Sequence, residues 1–402
     1  MSGATICARL VTGLDAESAV ADAARQVAAV LGQPADLVVM FVHPTMCADP
    51  ETLRDEIMRT LAPRHFIGCT GETIIGTGQE IEGAPAIVVW GALLPGAHIT
   101  DLRASAWPMP DGTIEIAGWP TSAAAATEDT QLPGPDDVAI VLADPFSLPI
   151  DQLLSHTNMS GWQPQLVGGL ASGGTRPGEH TLFRNELIAT DGLVGVSIGG
   201  FPVTTAVSQG CSPIGPEMVV TDTDGFGRLH QLAGQPALTK LQEVLDQLDD
   251  DDLALAQTGL TLGIVINENQ PEYGRGDYLM RGLLGAHPDT GDLHVGEHVR
   301  IGQTLRVHVR DAASADIDLH DTLSDARAQI VGAPIGALVF SCNGRGMNMF
   351  DTPHHDATVI AEELDNPPLA GLFCNGEIGP VGGRNFIHGF TATIAIFGSL
   401  ET

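Results

Sequence analysis

The sequence predicts an α/β fold of two related halves, built from strand-helix-strand-loop-strand repeats, with mixed sheets layered with helices. Three observations carry that reading. Short, continuous apolar runs such as "ADLVVMFVH" stand between turn residues, as expected of strands covered on both faces. Segments such as "LDAESAVADAARQVAAVLG" place apolar residues at helical spacing. The same order of runs and segments then recurs along the chain.

In order, "ICARLVTG" reads as a strand, and a helix follows with Asp15 as N-cap, Val20, Ala24, Val27 and Leu31 on its apolar face, and Gly32 as its stop. After the buried strand "ADLVVMFVH", "DPETLRDEIMRTLA" is a second helix, capped by Asp49, with Pro50 at its first position and Glu51 and Glu56 toward its positive end. "HFIGCTGETIIG" and "APAIVVWGALL" are strands flanking a turn-rich loop. Residues 137–210 repeat the pattern: "DVAIVLAD", a helix near "PIDQLLSHT", a strand into "LVGGLASGG", a loop, then "GLVGVSIGG" and "VTTAVSQG". Residues 335–399 repeat it again, from "IGALVFSCNGRG" through a helix near "DATVIAEEL" to "LAGLFCNGEIG", a loop and "TATIAIFGS".

Between these repeats, Gly, Pro and Asp are dense over residues 215–236, which predicts a linker and two domains, 1–220 and 221–402. "ALTKLQEVLDQL" is helical in pattern, and Asp249–Asp252 is expected to be its solvated end or a linker. In "QTLRVHVRD", Leu305, Val307 and Val309 alternate with Arg306, His308 and Arg310, which puts three basic side chains on one strand face.

Charge narrows the partners. Eighteen Lys and Arg against 50 Asp and Glu give a net charge of −32, and such a surface repels phosphate backbones and anionic lipid heads. Neither nucleic acid nor membrane is an expected partner. The chain has no apolar run long enough for a spanning helix, and its start, "MSGATICARLVTG", lacks the features of a secretory signal. Cysteines 7, 47, 69, 211, 342 and 374 are scattered without a CxxC pair, which suits separate reduced thiols and a cytoplasmic location.

The candidate site lies where the repeats turn. "GCTGE" at 68–72 matches "FCNGE" at 373–377 in four of five chemical roles, with "GGLAS" at 168–172 in the equivalent place. A glycine at a strand end lets the chain turn sharply and leaves N–H groups pointing outward. Glu72 and Glu377 follow directly, to fix the turn or to grip a ligand amine. Upstream, "VFSCNGRGMNMF" sets Arg345 between two glycines, as an anion site or as the partner of a carboxylate such as Glu377. The candidate ligand-binding set is therefore Cys342, Asn343, Arg345, Cys374, Asn375, Gly376 and Glu377, with Arg384 and His388 just downstream.

Rival chemistries are less well supported. Cys69, Cys342 and Cys374 stand at strand ends, and His388 lies 14 positions past Cys374, but no cysteine-hydrolase motif or GxSxG accompanies them. His294 and His298 in "HVGEH" are too far apart on a strand for one zinc, and "PHHD" at 353–356 reads as an exposed helix start. "TDTDG" at 221–225 is an incomplete calcium loop, and "GTGQEIEG" and "GRGDYLMRG" match no nucleotide motif. There is no CxxCH for haem attachment.

These residues also carry a resemblance. "GALVFSCNGRG", "PPLAGLFCNGEIGPVGG" and "HGFTATIAIF" resemble the C-terminal FIST domain, and "FIGCTGETIIGTGQEIEGAPAIVVWGA" resembles the N-terminal one. The likeness runs from about residue 35 to 399. It implies an intracellular sensory module of signal transduction that binds a small polar ligand, with an amino acid or its derivative as one candidate. It also implies a partner such as a histidine kinase, a chemoreceptor or a cyclic-dinucleotide enzyme. With no F-box ahead of the first repeat and no kinase, methyl-accepting or cyclase segment attached, the bacterial type is expected, with output through a separate protein. Some members of the family resemble haem-binding nitric-oxide sensors, so haem is the alternative cofactor; a thiol-dependent enzyme is the other alternative. In the leading reading recognition is non-catalytic: Arg345 meets an anionic group, and Glu377 or Asn375 meets a donor.

Overall fold

The structure is a computed structural model that describes residues 3–13, 15–120, 134, 136–160, 162–274 and 276–400. The chain forms two compact units, one of residues up to 207 with 320–387 and 392 onward, the other of 208–319 with 388–391. The division expected at 220 follows the sequence, whereas compactness gathers the first and last parts of the chain into one unit.

The first unit contains three repeats. The first comprises β1 (Thr5–Thr12), α1 (Ala16–Leu31), β2 (Leu37–Val42), α2 (Pro50–Leu61), β3 (His65–Thr70), the hairpin β4 (Ile74–Gly76) and β5 (Gln79–Ile81), and β6 (Ala86–Leu93). The second comprises β7 (His98–Pro108), β8 (Ile114–Ala117), β9 (Val138–Ala143), α3 (Ile150–Met159), β10 (Gln165–Leu170), the hairpin β11 (Leu182–Arg184) and β12 (Leu187–Ala189), and β13 (Leu193–Gly199). The third opens with β14 (Val203–Gln209).

Next in the chain are β15 (Cys211–Thr223), β16 (Arg228–Leu232), β17 (Gln235–Pro236), α4 (Ala237–Leu245), α5 (Asp250–Thr258), β18 (Leu260–Val265), β19 (Tyr278–His287), β20 (Asp292–Val295), β21 (Thr304–Arg310) and α6 (Ala312–Gln329). The third repeat then resumes with β22 (Pro334–Cys342), α7 (His355–Glu363), β23 (Leu369–Cys374), the hairpin β24 (Glu377–Val381) and β25 (Arg384–His388), and β26 (Thr391–Gly398).

Pairing is the same in each repeat. The central strand (β2, β9 or β22) runs parallel to the strand after the helix (β3, β10 or β23), and antiparallel to the last strand (β6, β13 or β26). The opening strand (β1, β7 or β14) lies outside the last one. The hairpin, however, leaves its own repeat: β4–β5 extends β23, β11–β12 extends β3, and β24–β25 extends β10. The loop expected between β3 and β6 thus holds a hairpin given to another sheet, and the three exchanges close a cycle.

Two features in the sequence hold this arrangement. Gly68, Gly168 and Gly371 pair with Met40, Val141 and Val339, and a Cβ at those glycines would stand 2.4, 1.8 and 2.1 Å from the carbonyl oxygens of those partners. Only glycine permits so close an approach. Each visiting hairpin is also pinned by one side chain at the start of the host strand. The N–H groups of Phe66 and Leu166 donate to Asn185 Oδ1 and Asn385 Oδ1, both at 2.8 Å, and that of Leu369 donates to Thr77 Oγ1 at 3.0 Å.

Alternation then builds the core. Leu37, Val39 and Phe41 of β2, Ile140 and Leu142 of β9, and Leu338 and Phe340 of β22 face one shared interior, where Phe41 and Phe340 meet edge to face at 5.9 Å. Val38, Met40 and Val42 point outward, under α1 and α2; Ala139, Val141 and Ala143 point outward under α3. Covered on both faces, these strands are apolar at nearly every position.

The second unit contains an antiparallel barrel: β15, β21, β18, β19, β20 and β16 pair in that order, and β16 pairs back to β15. The linker expected at 215–236 is therefore strand. Pro216 falls inside the irregularity between Ile214 and Met218 of β15, where the ladder is interrupted and a missing N–H costs nothing. Asp249–Asp252 starts a helix instead of ending one: Asp249 caps α5, accepting from Asp252 N–H at 2.9 Å, and acids in its first turn suit the helix dipole. Asp15 does occupy the N-cap of α1, but its side chain makes no capping bond. Leu305, Val307 and Val309 enter the barrel core as the alternation requires, but His308 on the opposite face is buried, and that burial lowers its pKa to about 4. No helix among the described residues is long and apolar enough to cross a membrane.

Candidate functional site

In the third repeat, the parallel register sets Cys342 beside Cys374, so "CNGR" and "CNGE" leave neighbouring strands at the same level. Such carboxyl ends of parallel strands are where α/β sheets hold ligands. Asn343 N–H donates to Cys374 O at 3.1 Å, and Asn343 Nδ2 donates to Asn375 Oδ1 at 2.8 Å. Six residues expected at the site are thereby brought together: Cys342, Asn343, Arg345, Cys374, Asn375 and Gly376.

The other repeats deliver their strand ends to the same place. Ser172, wholly buried after β10, donates through Oγ to Phe373 O at 2.5 Å and accepts Glu72 N–H at 2.9 Å. Its own N–H donates to Thr70 O. Asn375 N–H and Nδ2 donate to Leu170 O and Ala171 O, both at 3.2 Å, and Leu170 N–H donates to Gly376 O at 2.9 Å. Three turns from three repeats are thus laced at one junction, with Glu72 and Asn375 exposed and Cys342 and Asn343 half-buried.

The register corrects the motif alignment. Gly68, Gly168 and Gly371 are equivalent, so Cys374 occupies the place of Gly71 and Ala171, two positions from where matching "GCTGE" to "FCNGE" puts it. Glu377, opposite Gly169, takes the place of Leu182, opposite Cys69, and of Ile74, opposite Leu372. One repeat therefore buries a carboxylate where the others bury hydrocarbon. The residue three positions beyond Met40, Val141 and Val339 differs too: it is His43, Asp144 or Cys342. Asp144 holds the wholly buried His180 at 2.9 Å.

Arg345 is also wholly buried, and it forms a fork with Asp356: Nε to Oδ2 at 2.7 Å and Nη2 to Oδ1 at 2.8 Å. It is a positioning group and presents no surface to a ligand anion. Burial alone would raise the Asp356 pKa, but the Arg345 charge, with hydrogen bonds from His355, Arg345 and Ser341, outweighs it and holds the carboxyl well below its ordinary value. The "PHHD" segment is consequently not an exposed helix start, since Asp356 is 1% exposed. Sequence reading missed this residue; its signal was an acid 11 positions after a glycine-flanked arginine, at the start of α7.

The swapped hairpin β4–β5 closes the other side of that pair. Glu80 Oε1 accepts Ala357 N–H at 2.9 Å, while Glu80 N–H donates to His354 Nδ1 at 3.0 Å. Burial first, then the charge of Asp356, push Glu80 up to about 8.

Cys374 is wholly buried, and burial followed by the charge of Glu377 pushes its thiol well above the ordinary value. That is the reverse of what a nucleophilic thiolate needs. Glu377 too is wholly buried, so the surface donors and acceptors of the junction are Asn343, Asn375, Glu72 and Cys342. Arg384 stands apart, exposed beyond the hairpin turn, roughly 13 Å along the strand from Glu377, with its guanidinium 5.5 Å from the Phe386 ring. His388 is buried at the end of β25 and belongs to the second unit.

Haem does not fit these residues. A Cβ at Gly169 would meet Cys374 Sγ at 2.2 Å, and one at Gly71 would meet the Leu372 side chain at 2.8 Å, so the junction is packed solid where a macrocycle would have to enter. Gly71 serves this close packing and has no left-handed backbone, unlike Gly376, whose φ is +156°. Among the described residues, no three His, Cys, Asp or Glu side chains gather in a metal-holding group.

Compared with known families, residues 36–235 match the FIST N domain and residues 237–380 match the FIST C domain. A Mycobacterium bovis protein described as uncharacterized is 39% identical over 387 residues, covering 95% of this chain and 96% of its own. A Mycobacterium tuberculosis protein, also described as uncharacterized, is 39% identical over 391 residues, covering 96% and 97%. An F-box/LRR-repeat protein of Arabidopsis thaliana is 30% identical over 97 residues, 23% of this chain and 18% of that one.

Proposed function

This chain belongs to the FIST family, whose domains are generally sensory domains of signal transduction, and from that premise we propose that it senses a small polar molecule at the junction of its strand-end turns. One observation carries the reading: three repeats bring their strand ends to Ser172 and leave the carboxamides of Asn343 and Asn375 in reach of solvent beside Cys342 and Glu72. Carboxamides offer donors and acceptors together, which suits a polar ligand with both. The buried Arg345–Asp356 fork fixes the loop that presents Asn343. In this reading the protein works in the cytoplasm and passes its signal to a separate protein, of the histidine kinase, chemoreceptor or cyclic-dinucleotide enzyme class. The net charge of −32 argues for a protein partner over nucleic acid.

The test is a thermal-shift screen of amino acids and small anions on the full chain, repeated on Asn343→Ala and Asn375→Ala. The expected result is a ligand whose shift shrinks in both variants. A ligand whose shift is the same in wild type and both variants overturns the assignment.

A further inference from the structure

At the opposite end of the first sheet, about six residues of strand from the junction, lies a cavity of about 120 Å³. Asp36, Arg64, His65, Gly96 and Ile99 are among the residues that line it. Its polar groups are arranged, not scattered. His65 Nδ1 donates to Asp101 Oδ1 at 2.9 Å, and Asn185 Nδ2 holds the other Asp101 oxygen at 2.7 Å. With Nδ1–H on a carboxylate, Nε2 is the ring nitrogen left for an occupant, and it has no partner among the described residues. Asp36 Oδ2 accepts Leu94 N–H at 2.8 Å, and its Oδ1 faces Arg64 Nη1 at 3.2 Å. Arg64 has no other ion pair among the described residues, and its side chain is 77% exposed, so its remaining donors can turn toward an occupant.

The fold does not require these residues. By the register that equates Gly68, Gly168 and Gly371, the positions of Arg64 and His65 correspond to Pro164 and Gln165 in the second repeat and to Pro367 and Pro368 in the third. Two repeats start this strand without a charge; only the first places a guanidinium and an imidazole there.

We propose that this cavity is a second ligand site, separate from the junction, and that it takes a small zwitterion. Arg64 receives the carboxylate, while Asp36 and His65 Nε2 accept from the ammonium group. One cation and one carboxylate within a few ångströms match a dipolar molecule better than a free anion, which the adjacent Asp36 and Asp101 would repel. Glycine is the natural probe, and acetate and methylammonium are its two halves.

The experiment follows the histidine ring resonances of the full-length protein, nitrogen-labelled at histidine, during titration with glycine; His65→Gln, which installs the second repeat's residue, identifies the His65 signal. Glycine should move that signal saturably, and each half-molecule should bind more weakly. Arg64→Met, at an exposed position, should weaken glycine roughly tenfold or more. Asn343→Ala and Asn375→Ala should leave it unchanged, so failure here and failure at the junction are distinguishable. No glycine-dependent movement of the His65 signal, or equal binding in Arg64→Met, overturns the site. Acetate binding as well as glycine overturns the zwitterion assignment.

Discussion

Ser172 Oγ donates to the Phe373 carbonyl at 2.5 Å, a bond between residues 201 positions apart in the chain. The same hydroxyl accepts Glu72 N–H, so one side chain joins the ends of β3, β10 and β23.

Ser172→Ala should therefore take a hydrogen-bond partner from the buried Phe373 carbonyl and from the part-buried Glu72 N–H, and cost about 1–3 kcal/mol. Urea denaturation measures the loss. Glu72→Ala is the control: its side chain is exposed and the bond to Ser172 uses its backbone N–H, so stability should change by less than about 0.5 kcal/mol.

The Arg345–Asp356 fork predicts non-additive behaviour. Arg345→Met should leave the buried Asp356 carboxylate without its counter-charge and cost about 3–5 kcal/mol, and Asp356→Leu should take the fork partner from the buried guanidinium at similar cost. The double variant removes both charges, so thermal melts should place it well above the sum of the single losses. Equal and additive losses would mean the fork is not the dominant contact of either residue.

Glu80 sets a pH dependence opposite in sign to that of Asp356. Its folded pKa is raised to about 8, so its contribution to stability is fully present below its ordinary value near 4.5 and is lost as pH rises through about 8. Asp356, held low, contributes above its ordinary value near 3.8 and loses that contribution only on strong acidification. Glu80→Gln keeps an oxygen for Ala357 N–H and removes the titration. Denaturation from pH 5 to 9 should show wild type weakening with pH more steeply than Glu80→Gln. Parallel curves would remove Glu80 as the cause.

Gly169 is fitted to Cys374. Gly169→Ala brings a Cβ to 2.2 Å from Cys374 Sγ and should cost about 1–3 kcal/mol by overpacking. Adding Cys374→Ala vacates that space, so the pair should recover part of the loss. A double variant no better than Gly169→Ala would indicate that backbone strain, and not the thiol, sets the cost.

Much of the candidate site was legible in the sequence because its chemistry is local. Strand ends followed by Asn-Gly, with a glycine-flanked arginine nearby, located the turns of the third repeat. The partner of Arg345 was not legible: Glu377 and Asp356 are both nearby acids, and only the path of the chain into α7 brings Asp356 into the fork. The equivalence of repeats was misread by two positions for a similar reason. "GCTGE" and "FCNGE" are alike in composition, but register is set by pairing with the central strand, which a motif comparison cannot see.

What the sequence determined by itself is the alternation of apolar strands and amphipathic helices in three repeats, and the glycines small enough to let one strand approach another. Those follow from periodicity and from side-chain size, properties each segment carries alone. Which sheet receives each hairpin was decided only in the tertiary structure. A short hairpin such as β4–β5 has no stability of its own and pairs where an open strand edge, a buried face and a pinning group coincide. For β4–β5 those are β23, the shared core and the bond from Leu369 N–H to Thr77, about 290 positions along the chain.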